Sequence, residues 1–469
     1  MLQLIINEWR QLIRSKNFLI LVSFCSALLI LTVFLGIEEL RIQSTKRDSA
    51  QTSVRAQWEN MGPSNPHGAA HLGTYAFKPS SILNAIEPGV ESVVGRVLRL
   101  EGHVQNETVH SADSQAIMRS RFGVLKPALI LQLIIPVLLI FLSFNAVNSE
   151  KEEGRLKLLL LQGLKARQLL FGKIFSYWLI GTLLLLITFL SFFLFFDLIE
   201  TADFLIRASL LFTAYALYYF VIIGFTVLFS SYFKNNTASL TIMLALWILW
   251  SVFIPKITAE TAEISNPLPS RQAMKTTMKE DRAKGIDGHN PNDERKKQLK
   301  DSVLNAYQVD KLEDLPINYD GLVMQADEEY GNKVWDKHFG DLHNLMNQQK
   351  KLYQWSGIIN PFQSLKNLSM GFSGTDNFHH LEFQKESEVY RRVFIKKLND
   401  EHAYGGSKTG DWGWKAEQEF FNSIKDFQYE TPSFLKMKDF YLTDIILLTL
   451  WVLVTLLCTY ALAPKLKVT

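Results

Sequence analysis

Ten histidines and two cysteines carry the richest coordination chemistry in this 469-residue sequence. The histidines are His67, His71, His103, His110, His289, His338, His343, His379, His380 and His402. Imidazole is a ligand for zinc and copper, so their spacing matters. His67 and His71 stand four apart, but Pro66 and Gly68 argue against a helix that would align them. His379 and His380 are adjacent and would point to different faces of a helix. Asp376 and His380, four apart, would share one. Cys25 and Cys458 lie inside apolar runs and read as packing residues, and two cysteines build neither a disulfide framework nor a Cys-rich metal centre. The expectation is a chain without bound metal. The string Gly405-Gly406-Ser407-Lys408-Thr409 has the wrong spacing for a phosphate-binding loop. No Ser-His-Asp or paired-carboxylate pattern can be assigned, so no residue is expected to be catalytic.

The elements that would hold these residues follow from composition. Hydrophobic residues make up 48% of the chain, 32 of them phenylalanine, while charged residues make up 20%. Mean hydropathy is nevertheless only +0.06, so the apolar residues must be clustered. Six charge-free apolar runs fall at 18–37, 128–147, 174–196, 208–233, 237–254 and 445–463. Each is about long enough to cross a bilayer as a helix. Pro136 should bend the second. The first is too long for a secretory h-region and reads as a retained anchor. The net charge of +3 is too small to suggest nucleic acid as a partner.

Basic residues set the orientation. Arg10, Arg14 and Lys16, then Lys151, Arg155, Lys157, Lys165, Arg167 and Lys173, then Lys234, Lys465 and Lys467 all fall on one side. The short loop on the other side holds Asp197, Glu200 and Asp203 against Arg207. Both termini are expected in the cytoplasm. Residues 38–127 and 255–444 become two extracytoplasmic, mainly helical insertions. Residues 1–17 read as an amphipathic interfacial helix, with Leu2, Ile5, Ile6, Trp9, Leu12 and Ile13 at helical spacing. The fold expected is an all-α polytopic membrane protein with six transmembrane helices. The polar stretch 286–300 reads as a surface loop.

Residues 148–173 are the only sizeable cytoplasmic loop. Glu150, Glu152 and Glu153 precede Gly154 and Arg155, and a leucine run follows. Arg167, Leu170, Gly172 and Lys173 close it. The acids suit the positive end of a helix dipole, and the leucines need lipid or a protein to cover them. This pattern, with the six spans, resembles the cytoplasmic loop of ABC-2-type permeases. The resemblance implies a coupling helix that docks on a separate ATPase subunit, with Glu150, Glu152, Glu153, Gly154, Arg155, Arg167, Gly172 and Lys173 at or near the contact. It implies two ATPase copies per complex and a homodimer or a heterodimer with a second permease. ATP and magnesium would sit on the ATPase, and no cofactor on this chain.

The second insertion carries Gly374-Thr375-Asp376, His379-His380, and Glu388 followed by Tyr390 and Arg391. This resembles a subgroup of bacterial ABC-2-type permeases with a large periplasmic insertion. Physically, Thr375 or Asp376 would cap a helix. Phe378, Leu381, Val389, Val393 and Leu398 would form its apolar stripe, and Glu388 would pair with Arg392 across one turn. Trp412 and Trp414 form an aromatic-rich turn, read as core packing. The function expected is an inner-membrane exporter subunit driven by a separate ATPase. The alternative is an ATP-driven mechanotransmission or envelope-partner-binding protein that acts through its outer regions.

Overall fold

The computed structural model describes residues 1–106, 125–195, 202–286 and 288–466. His110, Asp197, Glu200 and Lys467 lie outside these residues. The fold is all-α, and the described residues include six helices long and apolar enough to cross a membrane. Helix α1 (Leu2–Arg14) leads into α2 (Lys16–Glu59) through Ser15, whose hydroxyl accepts the Phe18 N–H and caps α2. At 1.5 Å per residue α2 is roughly 66 Å long, about twice the thickness of a hydrocarbon core. Its distal half therefore projects into the mass beyond the apolar belt, here called the cap. The other apolar helices are α4 (Pro127–Glu152), α6 (Ala166–Phe195), α7 (Ala202–Tyr232), α8 (Asn236–Ser265) and α14 (Leu442–Lys465). Helix α7 is central: 72% of its apolar window is buried, against 17% for α8. The faces of α2, α8 and α14 are left for lipid or another chain to cover.

Two of these helices carry a π-helical turn next to a proline. Ile130–Ile134 precedes Pro136 in α4, and Leu249–Phe253 precedes Pro255 in α8. Proline lacks a donor and its ring crowds the carbonyl one turn back, and the wider π turn accommodates both.

The cap begins with α3 (Pro66–Leu72) and an antiparallel hairpin of β1 (Thr74–Phe77) and β2 (Val97–Leu100), Thr74 pairing with Leu100 and Phe77 with Val97. Strict alternation of buried and half-buried residues marks both strands. So short a hairpin is marginal alone, and Phe383 packs beneath it. Helices α9 (Arg271–Lys284), α10 (Asn292–Tyr307), α11 (Tyr319–Trp355), α12 (Pro361–Phe372) and α13 (Asn377–Tyr404) complete the cap. The surface loop expected over 286–300 is instead helical from Asn292, with Asp293 and Glu294 in the favourable first turn.

Helix α12 is buried almost throughout, and it packs against α7 and α14 at the top of the membrane helices. Indole groups fix its approach. Trp250 Nε1 donates to Ile359 O at 2.9 Å, Asn360 Nδ2 returns a bond to Trp250 O at 2.8 Å, and Trp451 Nε1 donates to Gly357 O at 2.8 Å. Gly371 lies under the Tyr441 ring, where any Cβ would collide.

Candidate functional site

Two buried polar clusters mark the two ends of the membrane helices. At the loop end, the Lys173 amine on α6 is 2.5 Å from Glu8 on α1 and 2.8 Å from Glu150 on α4. All three residues are buried. Glu8 gets there because it follows Leu4 by one turn on the inner face of α1. Leu4 in turn packs on Gly172, leaving no room for a Cβ, and Trp9 Nε1 donates to Ser176 O at 3.1 Å. Glu150 also accepts Arg155 Nε at 2.9 Å. That bond, with the nearby Glu153 carboxylate, raises the Arg155 guanidinium above its ordinary value. The Ser230 hydroxyl accepts the Val147 and Asn148 N–H groups, and Glu152 accepts Asn236 Nδ2 at 3.0 Å.

The eight loop residues singled out from the sequence therefore divide. Glu150, Gly172 and Lys173 are interior. Arg167 lies over the Tyr460 ring of α14, 3.5 Å from its centroid. Glu152, Glu153 and Gly154 are exposed, and Arg155 is half-buried. Gly154 sits at φ +72°, a left-handed turn that opens α5 (Arg155–Leu161). Leu158 and Leu161 project from α5, 60% and 75% exposed, beside this acidic rim.

At the cap end, Asp376 is the N-cap of α13 and accepts the His379 N–H at 3.1 Å. The same carboxylate meets His379 Nδ1 at 2.7 Å and accepts Tyr441 O–H at 3.0 Å. Burial alone would raise this carboxyl. The His379 hydrogen bonds and charge, with Lys350, overcome that and hold it below its ordinary range. His379 Nε2 in turn faces Arg207 of α7 at 3.5 Å, and Arg207 pairs with Asp203 at 2.6 Å and donates to Pro432 O at 2.8 Å. Gly374, at φ +70°, makes the turn before the cap, and Thr375 O accepts the Val90 N–H. Beside it, Glu87 accepts Ser369 Oγ at 2.8 Å and Gln132 Nε2 at 2.7 Å. Burial pushes the Glu87 carboxyl above its ordinary value.

Asp376 and His380 are one turn apart, but the capping geometry turns the carboxylate to His379. His380 is buried elsewhere, its Nδ1 without a hydrogen-bond partner among the described residues, and its pKa is lowered to about 4 by burial and then by Lys78 and His343. The apolar stripe expected on α13 also fails in part, because Val389 and Val393 are 53% and 65% exposed. The buried face is instead Phe383, Ser387, Arg391, Phe394, Ile395 and Leu398. Ion pairs set that choice. Arg391 is bonded to Glu388 at 2.7 Å, Glu328 at 3.1 Å and Asn332 at 2.7 Å, and Arg392 to Glu388 at 2.9 Å. Tyr390 stacks on Phe394 and donates to Lys425 O at 2.6 Å. A cavity of about 490 Å³ opens between α11 and α13, with Phe339, His343, Phe378 and Arg392 in its lining.

Pro66 and Gly68 do not prevent a helix. Asn65 caps α3, accepting the His67 and Gly68 N–H groups, and Pro66 occupies the first turn, where a missing donor costs nothing. His67 and His71 consequently share a face, with Nε2 atoms 3.1 Å apart. His103 lies beside them, and one ring nitrogen from each of the three falls within 4.8 Å of the others. Burial first, then the neighbouring His71, His103 and His402, lower the His67 pKa to about 4. Trp412, expected in the core, is 52% exposed and sits over His67 and His402.

Glu8, Glu87, Arg207 and Tyr441 were not anticipated as site residues. Only Glu8 carried a local signal, a lone acid on the apolar face of an amphipathic helix. The partners of the others come from distant segments.

Residues 73–273 match the ABC-2 family transporter protein family, and residues 271–430 match a domain of unknown function (DUF3526). The two matches meet at the start of α9, where membrane helices give way to cap. No curated protein matches the chain.

Proposed function

The chain belongs to the ABC-2-type permeases and carries a DUF3526 region, and from that premise we propose that it is the membrane subunit of an ATP-driven exporter whose ATPase is a separate protein docking at residues 150–161. A member of this family is a membrane transport component and not itself a catalyst, and it works with an ABC ATPase. One observation carries the docking proposal. The buried Glu8–Lys173–Glu150 cluster fixes the loop from behind, while Glu152, Glu153, Leu158 and Leu161 stay exposed in front. A fixed, part-apolar, part-acidic rim presents a rigid surface to a partner groove.

In this reading both termini and the docking loop are cytoplasmic, the cap is periplasmic, and the membrane is a bacterial inner membrane. The complex contains two ATPase copies and either two copies of this chain or one with a second permease. ATP and magnesium bind the ATPase, and this chain holds no nucleotide. Lipid or the second permease covers the apolar faces of α2, α8 and α14.

The docking proposal is tested with the double variant Glu153→Lys/Leu161→Lys. Both side chains are exposed, so membrane level and thermal stability should match the parent chain. Binding of the ATPase should weaken about tenfold or more, at least about 1.4 kcal/mol. Asp293→Lys/Lys296→Glu on exposed α10 should leave binding unchanged. Full ATPase association in the loop variant would reduce the loop to a connector. For the topology, a cysteine placed at Asn290 should react with an impermeant maleimide on intact cells. Reaction only after lysis would invert the orientation.

A second reading has its own support. Helix α2 runs unbroken from the membrane into the cap, and α12 is inserted against α7 and α14. Motion of the membrane helices would therefore be carried into the cap. That suits a machine that moves an envelope partner as well as one that exports a substrate.

A further inference from the structure

We propose that His67, His71 and His103 bind one late first-row divalent cation, of the zinc or copper class, in the cap. Three observations support this. First, His67 and His71 are one turn apart on α3 with their Nε2 atoms 3.1 Å apart. Two nitrogens bound tetrahedrally to zinc at about 2.0–2.1 Å stand roughly 3.3 Å apart, so this pair already has a bite that a metal accepts.

Second, the third imidazole is aimed by its surroundings. His103 has φ +64°, unusual for a side-chain-bearing residue, and is one of only two such residues among those described. Glu328 holds it there, accepting its backbone N–H and meeting its Nδ1 at 3.0 Å. With Nδ1 engaged, Nε2 is the nitrogen His103 has to offer. A carboxylate on the far nitrogen of a ligand imidazole fixes the ring and raises its basicity. Glu328 is itself anchored by Arg391, so the site would be tied into the ion-pair hub of α11 and α13.

Third, the donor set is selective. Three imidazoles with no carboxylate or thiolate among them suit zinc, copper or nickel and disfavour magnesium and calcium. The rings are mutually tilted by 81°, 56° and 51°, so their edges converge and the faces do not stack. His71 is exposed, which gives a cation access from solvent and leaves a fourth position for water or another ligand. A bound cation would cross-link α3 to the turn after β2. The expectation of no metal rested in part on α3 not forming, and α3 forms.

The test uses the full chain in detergent, purified without a polyhistidine tag and stripped with a chelator. It is then incubated with Zn²⁺, Cu²⁺ or Mg²⁺, desalted and analysed for metal. About one Zn²⁺ or Cu²⁺ per chain and no Mg²⁺ is expected for a three-imidazole site. His67→Ala/His71→Ala should lose stoichiometric metal, with affinity falling by more than the roughly 10–100-fold typical of an outer-shell change. His338→Ala, beside Asp281 on α9, should retain it. Because the double variant could misfold, the parent chain is also titrated with Co²⁺. Visible bands of a four-coordinate nitrogen site, abolished by one equivalent of Zn²⁺, support the site. Substoichiometric zinc and copper on the parent chain, equal loading of the double variant, or six-coordinate Co²⁺ spectra overturn it.

Discussion

The loop end and the cap end of the membrane helices both rest on buried charge, but they use it differently. At the loop end one lysine holds two carboxylates, and the residues just outside that cluster are exposed acids and leucines. At the cap end Asp376, His379, Arg207 and Tyr441 are all buried and satisfy one another. The first arrangement stabilises a surface for something else to use. The second joins α7, α13 and the start of α14 through interior side chains.

The largest test of that contrast is Lys173→Met. Methionine keeps the volume but leaves Glu8 and Glu150 buried and facing each other, with Arg155 still bonded to Glu150. Removing one partner from a buried ionic cluster typically costs about 3–5 kcal/mol. A clear fall in the thermal unfolding temperature of detergent-purified protein is expected. Glu8→Gln in the same chain should restore part of it, since one of the two repelling charges is gone. No fall, or no rescue, would mean that this cluster does not fix the loop.

A smaller effect is expected at Asp376. Its carboxyl is held below the ordinary range in the folded chain, so ionised Asp376 favours folding. That contribution is complete above the ordinary carboxylate pKa and is lost as pH falls through the lower, folded value. Asp376→Asn keeps an oxygen to cap α13 but loses the charge. The cost should be about 1–2 kcal/mol at neutral pH, the difference between charged and neutral hydrogen bonds. The gap in unfolding temperature between parent and variant should close on acidification. A gap that widens on acidification would assign the favourable charge to another group.

The sequence disclosed most of the membrane plan, because six runs of apolar residues have no other stable home. It also placed the cap of α13 and the Glu388–Arg392 pair, both of which depend on neighbours within about one turn. It failed where partners are distant: Glu87 meets Ser369, and Arg207 meets His379, across folds of the chain that no spacing reveals. Arg207 looked like a loop charge for the same reason. The α3 error was different. Proline stops a helix in its interior but starts one at its first position, and Asn65 was the capping signal that distinguished the two.

The smallest expected effect on the fold, that of Gly154→Asn, separates the two ends most sharply. Gly154 has a left-handed backbone, and a Cβ added there meets nothing within 4 Å. Alanine should therefore cost only its backbone strain, roughly 1–2 kcal/mol, confined to the start of α5. Asparagine, which tolerates this conformation, should cost less. Neither change touches the Glu8–Lys173–Glu150 cluster, so neither should disturb α1 or α6. If an ATPase approaches this turn closely, Gly154→Asn will weaken association even though the unfolding temperature hardly moves. If it does not, Gly154→Asn will bind as the parent does while Glu153→Lys/Leu161→Lys still fails, and the contact narrows to the acidic and leucine side chains. The matching change at the cap end is Gly371→Ala, where the Cβ would strike the Tyr441 ring. It should behave oppositely, lowering stability through lost packing and leaving ATPase association intact.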